Sequence, residues 1–241
     1  MRNRREHIDL LVYVRALGVL ARNPTAIVVP LLVAVIGVFV GQISAASGGG
    51  VVEGLTGGIT AFVMQLLGLF ALGVAIIIGD AGWRRGFTRF DDAWQDARRK
   101  SGDILFAAFG FTFVLTIAQY AAGLIGSVGI VLIALAVYGL VYTIAASAIG
   151  GVPGNASITV SIERVKSAPL TAAILTVVAV VLLLFFRAYV GIFIDTWLAD
   201  TVGSSELIGE LIDAFIQAIL TGYLGVVMAK VYSDVSFTVP R

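Results

Sequence analysis

Five polar side chains sit where an otherwise apolar sequence leaves little room for them: Gln65, Gln119, Arg187, Asp213 and Gln217. Each lies in, or within a turn of, a stretch long and apolar enough to cross a bilayer. Groups so placed pair with one another or face water, because hydrocarbon solvates neither a charge nor an amide. Arg187 follows Lys166 by 21 residues, and Asp213 precedes Lys230 by 17. At about 1.5 Å per residue of helix, both sit at similar depth, far from those basic residues. The spacing predicts an Arg187–Asp213 contact, with Asp195 or Glu210 as substitutes. That contact would close an outward-facing polar pocket lined by the three glutamines. The alternative is that Arg187 snorkels, Asp213 is solvated and each Gln bonds a neighbouring helix.

A second constellation holds Trp83, Arg84, Arg85, Arg98, Arg99 and Lys100, with Asp80, Arg89, Asp91, Asp92 and Asp96 interspersed. Charges of both signs at this spacing read as a salt-bridged surface helix that orients the chain. The basic members and Trp83 are also candidate contacts for a partner subunit or for anionic lipid headgroups. Other chemistry finds little support. The chain has no Cys, and its one His, His7, precedes the first apolar stretch, so no thiol site or intramembrane haem ligation is expected. Gly150-Gly151-Val152-Pro153-Gly154-Asn155 lacks the Lys-Ser/Thr of a phosphate-binding loop. No catalytic residue, metal or cofactor is expected, and a net charge of +1 argues against nucleic acid as a partner.

The elements that must hold these residues are set by composition. Of 241 residues, 59% are hydrophobic and only 13% charged. A soluble domain carries about twice that charge and could not hide so much apolar surface. The reading is all-α: one polytopic membrane domain, 1–241, with six transmembrane helices as three hairpins. The spans are expected at about 25–42, 59–79, 104–126, 129–149, 169–187 and 211–229, each near the ~20 residues that cross the hydrocarbon. Placed on this ladder, 15 of the 16 basic residues and nine acids share one face, net +6. The other face has six acids and Arg187, net −5. Basic loops stay cytoplasmic, so the chain is expected in the cytoplasmic (inner) membrane with both termini in the cytoplasm.

Amphipathic interfacial helices are expected on the cytoplasmic side at about 8–21, 90–99 and 157–165, each just before an odd-numbered span. Thr88 and Asp91 have the spacing of a capping box for the second. Pro24 and Pro169 suit first helical turns, where a missing N–H costs nothing. Gly48-Gly49-Gly50 reads as a pliable outer loop, and Ser127-Val128 as a tight turn making spans three and four neighbours. Ser204 or Ser205 is positioned to cap the last helix. Gly37-x-x-x-Gly41, Ala118-x-x-x-Ala122-x-x-x-Gly126 and Ala145–Ala148 would let helices approach closely within the bundle.

Arg22-Asn23-Pro24 after an apolar interfacial helix, Trp83-Arg84-Arg85-x-Phe87, and the segment Ser161–Pro169 before span five together give a layout that resembles certain prokaryotic six-span membrane proteins. These are the YciC-like proteins and the membrane region attached to some glycerophosphodiester phosphodiesterases. The resemblance implies a six-helix bundle with interface helices and carries over no catalytic residue. The function expected is that of a non-enzymatic accessory or scaffolding subunit of a membrane complex, holding lipid or another hydrophobic molecule. Its partners would be membrane lipids and a membrane protein partner or a second copy of itself. The rival is a small transporter or lipid-handling permease using the outer polar pocket.

Overall fold

A run that is apolar on every side can satisfy its backbone amides in lipid only by coiling into a helix, and the apolar runs of this chain do so. The computed structural model describes residues 9–46, 51–126, 129–186, 189–193, 196 and 206–238, and among these it has helices and no strand. Helix α1 (Leu11–Arg22) leads through a 3-10 turn, Pro24–Ile27, into α2 (Val28–Ala46). The long α3 (Val51–Arg85) is followed by short α4 (Phe90–Arg99) and by α5 (Ser101–Ile125). Next come α6 (Gly129–Leu140), α7 (Thr143–Ala148) and α8 (Ser157–Ser167). Helix α9 (Pro169–Val180) continues as a π-helical turn, Val181–Phe186, and α10 (Glu206–Thr238) ends the described chain.

Five segments are long and apolar enough to span a membrane: Pro24–Ile43, Gly57–Arg85, Ser101–Ile125, Gly129–Ala148 and Leu207–Val235. A sixth arises if α8 and α9 are counted together, although they meet at a bend of 113°. Pro24 and Pro169 both open helical turns as expected.

Three of these helices, α2, α3 and α10, converge at the end of the bundle that carries Arg84, Arg98 and Lys100. Glycines make the convergence possible. A Cβ on Gly79 would lie 2.7 Å from the Val226 Cα, and one on Gly225 would lie 2.6 Å from the Ala75 Cβ. Gly222 faces the 3-10 turn at Ala26 and Ile27. Trp83 then donates its indole N–H to the Val226 carbonyl at 2.9 Å, and Tyr223 donates its hydroxyl to the Tyr13 carbonyl at 2.8 Å. Burial, with Tyr223 beside it, pushes the Tyr13 phenol up to about 12, so it adds no charge to this junction at neutral pH. Toward the other end the same helices part, and a Cβ on Gly41 or Gly68 would meet nothing within 4 Å.

Asn23 locks the basic end and is fully buried. Its amide donates to the carbonyls of Val19 (3.0 Å) and Gly86 (3.1 Å), and its oxygen accepts the Thr88 N–H at 2.9 Å. This corrects the capping-box expectation. Helix α4 begins one residue later than that motif requires, with Arg89 at its N-cap and no side-chain cap. The Thr88 amide that Asp91 would have served is taken by Asn23, 65 residues away.

The expected fourth span is not one continuous helix. It breaks at Val141–Tyr142, between α6 and α7. The Ser161 hydroxyl donates to the Gly139 carbonyl at 2.8 Å and accepts the Tyr142 N–H at 3.1 Å. One side chain thus serves backbone groups on both sides of the break, which would otherwise be costly to leave unpaired in an apolar setting. All six residues of α7 are buried, and Lys100 donates to the Ala148 carbonyl at their end (2.7 Å).

Small residues divide by surroundings. Ala118 and Ala122 are buried, and Gly129 packs against the Ala122 backbone, so α5 and α6 approach closely as expected. Gly37 and Gly41 do not bring two helix backbones together. A Cβ at the first would meet only the mobile end of Met64, at 3.2 Å, and one at the second faces open space. Gly48–Gly50, Ser127, Val128, Ser204 and Ser205 lie outside the described residues.

Candidate functional site: a polar-mouthed cleft between three helices

The space left where α2, α3 and α10 part is a cleft of about 720 Å³, within the range of small-molecule sites. One face of α10 forms its long wall. Glu210, Asp213, Gln217, Thr221 and Leu224 recur every three or four residues, so they stack on one side of the helix. From Glu210 to Leu224 is 14 residues, about 21 Å of helix. Opposite stand Pro30, Val33, Ala34 and Val38 of α2 and Leu69 and Leu72 of α3, with Leu183 of the π-helical turn at the side.

Polarity changes along this length. Near the converged helices the lining is aliphatic; at the other end Gln65, Gln217, Asp213 and Glu210 gather. Gln42, in the last turns of α2, donates its amide to the Glu210 carboxylate at 2.8 Å, tying α2 to α10 across the polar end. The cleft owes its volume to small residues: Ala34, Gly37, Gly41, Gly68 and Ala71 all line it. A larger side chain at Gly41 or Gly68 would enter open space.

Of the five polar residues singled out by sequence, Gln65, Asp213 and Gln217 are thus brought to one cleft. Gln119 is not. It is exposed on α5, because Ala118 and Ala122 turn inward against α6 and leave Gln119 about 100° round the helix from Ala118. A polar pocket lined by all three glutamines is therefore corrected to one lined by Gln65 and Gln217. Arg187 lies outside the described residues, as do Asp195, Asp200 and Trp197. Glu210, considered a substitute partner, is a lining residue held by Gln42. Sequence reading missed Gln42, which looked like the end of a span. It also missed the spacing of Glu210, Asp213, Gln217 and Thr221, which was readable as a polar stripe on one helix face.

The basic constellation also divides. Arg84, Arg85, Arg98 and Arg99 are exposed, Arg84 pairing with Asp80 at 3.0 Å and Arg99 with Asp96 at 3.8 Å. Trp83 and Lys100 turn inward instead, to the Val226 and Ala148 carbonyls. A cation on the last carbonyls of α7 opposes the negative end of that helix, which makes Lys100 a packing residue.

The fold and site define a class: an all-helical bundle with five or six helices fit to cross a membrane and a lateral cleft between three of them. No family model, no curated protein and no solved structure matches the chain.

Proposed function

We propose that this chain is an integral protein of the cytoplasmic membrane, with six spans in three hairpins and both termini inside, the fifth span being α9 with its π-helical turn by itself and α1, α4 and α8 lying in the inner interface. In this reading it acts without enzymatic chemistry, as an accessory or scaffolding subunit that holds a lipid or another hydrophobic molecule. The carrying observation is the cleft, aliphatic at its closed end and bearing Glu210, Asp213, Gln65 and Gln217 toward the other, because that gradient matches an amphiphile standing parallel to lipid. The partition of charge along the chain supports the orientation. The exposed Arg84, Arg85, Arg98 and Arg99 suit contact with anionic headgroups or a partner subunit.

The full-length protein, purified in mild detergent and examined by native mass spectrometry, tests this reading. A co-purifying hydrophobic molecule should be retained by the wild type and lost from Gly68→Phe, which fills the cleft. Equal retention in both, or none in either, counts against it.

A second reading is a small transporter or lipid-handling permease. The observation favouring it is that α2, α3 and α10 are closed by glycine contacts at one end and parted at the other, the shape of one state in alternating access. A transporter must also visit the opposite state. A crosslink fixing Gly225 against Ala75 would then stop transport, while leaving a simple holder unaffected.

A further inference from the structure

The polar end of the cleft says more about its occupant than that it is amphiphilic. We propose that the cleft takes a single-chain amphiphile with a primary amine or other cationic, donor-rich head, anchored at Glu210. This rests on the reading of the cleft as a holder of hydrophobic molecules and narrows the class held.

Width and length come first. The cleft is about 720 Å³ and follows some 14 residues of α10, about 21 Å, so one alkyl chain can lie along it. Pro30, Val33, Leu72 and Leu224 make its closed end mainly aliphatic, and both carboxylates lie toward the opposite end. The head must therefore sit at the other end, beside Glu210, Asp213, Gln65 and Gln217.

Among the described residues, the charged side chains lining that end are both carboxylates. Carboxylates only accept hydrogen bonds when ionised, and the partner of Glu210 is the neutral amide of Gln42, which satisfies part of one carboxylate without cancelling its charge. Asp213 has interactions of its own, so the assignment stands on Glu210. Amides from Gln65 and Gln217 can both donate and accept and suit neighbouring hydroxyls. An ammonium brings three donors and the opposite charge, and such charge-assisted bonds are the strong ones. A phosphate or carboxylate head would instead meet the like charge of Glu210.

Three probes of equal chain length isolate the head: hexadecylamine, hexadecanol and hexadecanoate, each offered to the full-length protein in neutral detergent at pH 7 and read by native mass spectrometry. The amine should bind about tenfold more tightly than the alcohol, the scale of one hydrogen bond to a charged group, with the acid weakest. In Glu210→Gln the amine's advantage should fall to about twofold or less, while alcohol binding is retained, which shows that the slot is intact. Gly68→Phe should remove all three. Equal binding of the three probes to the wild type, or an amine preference that survives Glu210→Gln, overturns the proposal while leaving the holder function standing. Failure of every probe to bind in a Gly68-dependent way overturns both.

Discussion

Asn23 makes three hydrogen bonds with one side-chain amide, two of them to backbone groups that lie outside any helix, at Gly86 and Thr88. It closes the end of α1, receives the end of α3 and replaces the missing cap of α4. Replacing it with Ala would strand the Thr88 N–H in a buried place. A buried group left unpaired costs roughly 1–3 kcal/mol, so Asn23→Ala should lose about that much. A fall of several degrees in the thermal unfolding midpoint in detergent would register this, and an unchanged midpoint would deny the amide its role. At the same scale, the sequence offered Gln65, Gln119 and Gln217 as equivalents. Only helix phase separates them, and phase depends on which face of α5 or α10 its neighbours cover.

At the scale of elements, the unbroken apolar run from Gly129 to Ile149 gave no warning of a break. Nothing between Leu140 and Thr143 is a helix breaker, so local propensity is not the cause. The break exists because α8 brings Ser161 to the one place where a hydroxyl can serve both Gly139 and Tyr142, and because Tyr142 then packs against Tyr232. Ser161→Ala should therefore destabilise the protein by about 1–3 kcal/mol, whereas Ser167→Ala, an exposed hydroxyl bonded to its own helix, should cost little. Equal losses in the two would mean that the bridge is not what holds the break. Glycine contacts make a complementary case. Gly225→Leu must push α10 off α3, because its Cβ already meets Ala75. Overpacking of this kind costs about 1–3 kcal/mol, visible as a lowered melting midpoint. Gly41→Leu should leave that midpoint nearly unchanged.

Over the whole molecule, the proposed six-span topology divides the near-zero net charge into +6 on one face and −5 on the other. The orientation proposed from it is easily examined, because the chain has no cysteine to confuse a label. In intact cells, a membrane-impermeant maleimide should modify Gly58→Cys, at an exposed position, and spare Arg98→Cys until the membrane is permeabilised. The reverse pattern would invert the topology. Composition and the spacing of apolar runs by themselves determined that the chain is helical, where its long helices lie and which loops share a charge. Those properties depend on residue type and on distance along the chain. The cleft was decided only by the tertiary structure. Its existence depends on three helices meeting through Gly79, Gly222 and Gly225 at one end and parting beside Gly41 and Gly68 at the other. Glycine reads alike in both places, and whether it closes a contact or opens a space is settled by what the rest of the fold brings to it.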